Sequence, residues 1–124
     1  MKNWRGFWLM AVAFIHTVFA LLMFADDYRS LYDNGIINSI TSVQVHGAVW
    51  FFLFGQVLFI VGLLVRHYEL AMECNIPRSI SINLLLLTVI GVVLMPASGF
   101  WLIFPVVFSM LLTKPLPAVQ ITGE

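Results

Sequence analysis

The chain has 124 residues, of which 61% are hydrophobic and 10% charged, and its mean hydropathy is +1.00. Soluble domains are about 45–50% apolar and about 25% charged, so this chain has too little polar surface to coat a globule, and lipid must be its solvent. Its wealth of Leu, Ile, Val and Phe excludes disorder. The charge is balanced, six Lys/Arg against six Asp/Glu, and without a basic patch nothing recommends nucleic acid as a partner. The single cysteine, Cys74, permits no internal disulfide and no C-x-x-C redox pair, and no zinc site is supported.

Four apolar stretches predict an all-α, polytopic membrane protein, a four-helix transmembrane bundle forming one domain. The first runs over about residues 7–24. Lys2 and Arg5 precede it, as in a signal peptide, but no small-x-small cleavage site follows, and its apolar region is too long for one. It is read as a retained span.

Residues 25–42 form the predicted external loop. Asp33-Asn34-Gly35 signals a turn. After it, Ile36, Ile37, Ile40 and Val43 repeat at near-helical spacing. Either the second span begins early or a short interfacial helix lies on the membrane there.

The second span is expected over about 43–65. Gly47, Gly55 and Gly62 fall within one sector of it and make a smooth stripe, suited to close packing inside the fold or to a dimer face. A short polar link, 66–78, comes next, with Pro77 suited to the first turn of the next helix.

The apolar run 79–113 is too long for one span. Met95-Pro96-Ala97-Ser98-Gly99 divides it into spans over 79–95 and 98–113, because Pro removes a backbone donor and Gly ends helices. One long kinked helix is the alternative. Ser98 is a candidate cap for the last helix, and Pro105 is expected to break it. The tail, 114–124, is expected to be extended.

Positive residues stay on the cytoplasmic side. With four spans, Lys2, Arg5, Arg66, Arg78 and Lys114 share one side and only Arg29 lies on the other. Both termini are therefore expected in the cytoplasm.

Each polar group within a span needs a reason to be there. His16, Gln56 and Thr88 fall at similar depth and suggest a hydrogen-bonded layer, either a relay or ligand site of a small transporter or channel, or simple interhelical glue. Asn83 is expected to make an interhelical bond. His46 opens the second span, with Trp50 one turn later. His16 and His46 together raise axial ligation of haem b in a redox membrane protein, although His16 lies about 6–8 Å deeper. No carboxylate lies in a predicted span, no catalytic constellation is evident and no metal site is predicted, so enzyme activity has no positive support.

The segments W-R-G-F-W-L-M-A-V-A-F-I-H-T and V-H-G-A-V-W-F-F-L-F-G-Q resemble small four-span bacterial inner-membrane proteins of a family of unknown function. The resemblance covers most of the chain and implies a four-helix bundle in that membrane. It assigns no activity. The leading expectation is a protein that binds a partner or a hydrophobic ligand between its helices, within the bilayer, as a homo-oligomer or in a larger membrane complex.

Overall fold

A computed structural model describes residues 3–40, 42–71 and 76–113. Every element it contains among these is helical. The order is α1 (Arg5–Met23), α2 (Ala25–Asp33), α3 (Val43–Ala71), α4 (Arg78–Leu94), a 3₁₀ turn (Gly99–Ile103) and α5 (Phe104–Leu112). The expected tail, 114–124, and part of the expected link, including Cys74, lie outside the described residues.

Two helices, α1 and α3, are long and apolar enough to cross a membrane. In each, only 28% of the most apolar window is buried within the fold. A core helix of a soluble protein hides most of its surface. Here Phe7, Phe14, Leu22, Val57, Ile60 and Leu64 lie more than half exposed, an apolar surface of the kind that meets lipid or another protein. The other two apolar helical segments are shorter: α4, and the 3₁₀ turn with α5, which together cover Gly99–Leu112.

α1 and α3 pack antiparallel along most of their length, and small residues hold them close. A Cβ on Gly6 would overlap the backbone of Arg66, and one on Gly62 would fall 2.8–2.9 Å from Met10. One on Gly55 would fall 2.9 Å from both the His16 ring and the Thr17 hydroxyl. Of the expected glycine stripe, Gly55 and Gly62 therefore serve internal packing, whereas nothing approaches Gly47. On its other side α1 meets the 3₁₀ turn and α5, and α4 packs against those two. Thus α1 stands between α3 on one side and the group formed by α4, the 3₁₀ turn and α5 on the other. Leu9, Val12, Ala13, Leu58, Ile103, Val106 and Val107 fill the core between them.

Several boundaries differ from expectation. α3 runs six residues past the predicted end at 65, because Arg66-His67-Tyr68-Glu69-Leu70-Ala71 continues its winding and its buried stripe. In the loop the helix precedes the turn instead of coming after it. α2 carries Asp26 and Asp27 in its first turn, where they suit the positive end of the helix dipole, and Tyr28 docks it on α3. The chain then turns at Gly35 (φ +91°), Ile36 (φ +60°) and Asn38 (φ +55°). These left-handed conformations stop the apolar repeat of residues 36–43 from winding up.

Met95–Ser98 separates α4 from the 3₁₀ turn, and Phe100 folds back onto Gly91. Ser98 does not cap the last helical segment: it makes no side-chain capping bond, and its Oγ is buried without a partner among the described residues. That segment starts as a tight 3₁₀ turn. Pro105 falls at the first turn of α5, where its missing N–H costs nothing.

Candidate functional site

His16 projects from the middle of α1 toward α3, and the absent side chain of Gly55 leaves the space it enters. Its Nε2 lies 2.9 Å from the carbonyl oxygen of Phe51. A carbonyl only accepts, so Nε2 carries the proton and donates. The imidazole stacks on the Phe51 ring at 4.2 Å and meets Phe54 edge-on at 5.6 Å. In the neutral ring this leaves Nδ1 as the acceptor.

Next to His16 opens a cavity of about 410 Å³. It lies between α1, α3 and the Met95–Ile103 connection, with Val12, Phe54, Leu58, Pro96 and Ile103 among its walls. His16 and Ser98 are the polar side chains that line it. A second space of about 280 Å³ adjoins it between α3 and α4, again with His16 as its one polar lining side chain. It exists because α3 and α4 do not pack on each other among the described residues. The result is an apolar cleft with a single imidazole on its floor.

The other expected site residues lie elsewhere. Thr88 is fully buried, but its hydroxyl donates to the Leu84 carbonyl of its own helix at 2.6 Å. Gln56 is exposed on the outer side of α3 and makes no hydrogen bond among the described residues. His16, Gln56 and Thr88 therefore form no shared polar layer. Asn83 is exposed and donates to Ser79 O within α4, a local bond in place of the expected interhelical one.

His46 and Trp50 do meet: the indole Nε1 donates to His46 Nε2 at 2.8 Å on an exposed face. His46 does not face His16, which is level with Phe51, five residues or about 7.5 Å further along the helix. Between α1 and α3 a single Cβ at Gly55 is already too much, so no porphyrin fits there. Both histidines have their Nε2 engaged as well. The geometry is not that of bis-histidine haem ligation. Among the described residues no three of His, Cys, Asp and Glu gather as metal ligands would.

One group of residues went unread in the sequence. Glu69, only 2% exposed, accepts from the first two N–H groups of α1, Arg5 N to Oε1 and Gly6 N to Oε2, both at 3.1 Å. These donors have no partner in their own helix, and the Trp4 side chain does not cap them. A carboxylate on α3 thus caps α1. The Arg5 side chain reaches the other way. Its Nε donates to Ser109 Oγ at 2.8 Å, and its Nη2 to the Ser109 carbonyl and the Thr113 hydroxyl. Arg66 adds a bond from Nη1 to Asn3 O at 2.6 Å. A signal for Glu69 existed: it stands seven residues beyond Gly62, which stands seven beyond Gly55, so it continues the face that packs on α1.

No curated protein and no solved structure matches the chain. One family model does, over residues 1–116, nearly the whole length. Across those residues lie the close α1–α3 packing, the cleft and the capped start of α1, and the chain belongs to that family, DUF6463, a family of unknown function.

Proposed function

We propose that this is a four-span protein of a bacterial inner membrane, both termini in the cytoplasm, that holds a small apolar molecule in the cleft above His16. The observation that carries the reading is the cavity of about 410 Å³ with apolar walls and one imidazole. Ligand sites are concave, mostly apolar and about 300–1,000 Å³, with few polar groups to set orientation. His16, held by Phe51 and stacked on its ring, is such a group. Its free acceptor suits a ligand with one hydroxyl or amide donor.

The four-span topology draws support from charge and length. It puts Lys2, Arg5, Arg66, Arg78 and Lys114 on one side, as the positive-inside rule requires. α4 has 17 residues, about 25 Å. Gly99–Leu112 spans about 23 Å. A bilayer thins locally around short spans at modest cost.

The test is native mass spectrometry of protein released from bilayer nanodiscs, compared with two variants. Wild type is expected to keep an apolar adduct of a few hundred daltons. Ala97→Trp, which fills the cavity from its rim, is expected to lose it. His16→Phe keeps the stacking but removes the polar group, and is expected to retain the adduct weakly. Equal retention by all three proteins, or no adduct on any, overturns the reading.

A further inference from the structure

Gln56 is misplaced for a single chain. Its neighbour Gly55 touches His16, so Gln56 lies at mid-α1 depth, far from either end of the 29-residue α3. Other polar side chains at that depth have partners inside the fold: His16 on Phe51 O, Thr17 on Ala13 O, Thr88 on Leu84 O. Gln56 has none among the described residues. Its surroundings on the outer face of α3 are Leu53, Phe59, Ile60 and Leu63, all exposed. α1 packs against the other side of the helix, at Gly55 and Gly62, and the space toward α4 opens beside Phe51 and Phe54. No described element covers Gln56.

An amide has two donors and an acceptor oxygen, and leaving them unpaired in hydrocarbon is costly. Polar side chains on lipid-facing helix surfaces find partners on other helices. We infer that Gln56 pairs with Gln56 of a second copy of this chain, in a two-fold dimer whose seam is the Leu53–Gln56–Ile60–Leu63 face of α3. The occupant is set by the chemistry of the residue. A glutamine amide is complementary to itself, donating and accepting at once, and a two-fold axis through the pair satisfies both copies equally. The face carries no charge that would select an acidic or basic partner. The inference rests on α3 lying in a bilayer and not on what fills the cleft, which is on the opposite side of that helix.

The experiment uses the full chain with Cys74→Ser, reconstituted in phospholipid vesicles, with cysteine placed at one position at a time. Oxidation is expected to give a disulfide-linked dimer for Leu53→Cys, Gln56→Cys and Ile60→Cys. It is expected to give none for Phe14→Cys, which is equally lipid-facing on α1. Separately, energy transfer between labelled copies, measured on dilution with lipid, is expected to show Gln56→Leu dimerising about threefold to thirtyfold more weakly. Gln56→Asn is expected to restore part of the difference. Cross-linking at Phe14 as strong as at Gln56, or identical dilution curves for wild type and Gln56→Leu, overturns the dimer. So does cross-linking of Gln56→Cys only to other proteins in native membranes. The adduct retained in the cleft is expected to be the same in Gln56→Leu, so failure here is distinct from failure of the ligand reading.

Discussion

At the scale of single residues, side-chain size at one position decides whether the site exists. Gly55 admits the His16 ring, and the ring reaches Phe51 O only because nothing projects from residue 55. Gly55→Ala is expected to push the imidazole and the Thr17 hydroxyl outward and to cost about 1–3 kcal/mol, as overpacking does. Gly47→Ala meets open space and is expected to be neutral or to stabilise by up to about 1 kcal/mol. Reversible unfolding in mixed micelles, read by helicity, distinguishes the two. Glu69 is the second such position. Glu69→Ala strands two buried donors at the start of α1, each costing about 1–3 kcal/mol, so a total of about 2–6 kcal/mol is expected. Glu69→Gln keeps one acceptor oxygen and is expected to lose about half as much in the same assay.

At the scale of elements, the sequence read the long helices better than the face each one buries. Apolar runs of 18 residues or more announce a helix wherever they occur, and Pro96 with Gly99 announces the break. The orientation of an all-apolar helix is a different matter, because hydropathy has no polar side to reveal. Gln56 was expected inward on the strength of being polar. Gly55 and Gly62 carried the better signal, since small residues mark where backbones approach, and residue 56 stands about 100° away from that stripe. α2 was missed because ADDYRSLYD is polar and short, while the apolar repeat after the turn looked more helical; left-handed backbone at Ile36 and Asn38 overruled it. What fixes α2 is Tyr28, whose hydroxyl donates to Ala48 O at 2.8 Å. Burial, and then the nearby Asp27 carboxylate, raise the Tyr28 phenol above its ordinary value of 10. A raised phenol favours the neutral form in the fold, so its contribution to stability is complete below pH 10 and is lost as pH rises through the raised value. The difference in melting temperature between wild type and Tyr28→Phe is therefore expected to be constant from pH 7 to pH 9 and to shrink above pH 10.

At the scale of the whole molecule, topology is the quantity to measure. With four crossings, the α2 loop and the Met95–Ser98 connection share one side of the membrane, and Arg66 and Thr113 share the other. In a Cys74→Ser background, Asp33→Cys and Ala97→Cys are expected to react with a membrane-impermeant maleimide added to spheroplasts. Thr113→Cys is expected to react only after the membrane is opened. Labelling of Ala97 and Thr113 from the same side would mean that Gly99–Leu112 does not cross.

The capped start of α1 also bears on biosynthesis. α1 leaves the ribosome before the groups that complete its first turn: Glu69 lies 64 positions after Arg5, and Ser109 and Thr113 lie 104 and 108 after it. Until they arrive, the start of α1 lacks the acceptors that its first two N–H groups and its guanidinium meet in the finished fold. Nascent chains halted between α3 and α5 therefore have both N–H groups capped by Glu69 while the Arg5 guanidinium still lacks Ser109 and Thr113, so the start of α1 is completed in two separate steps.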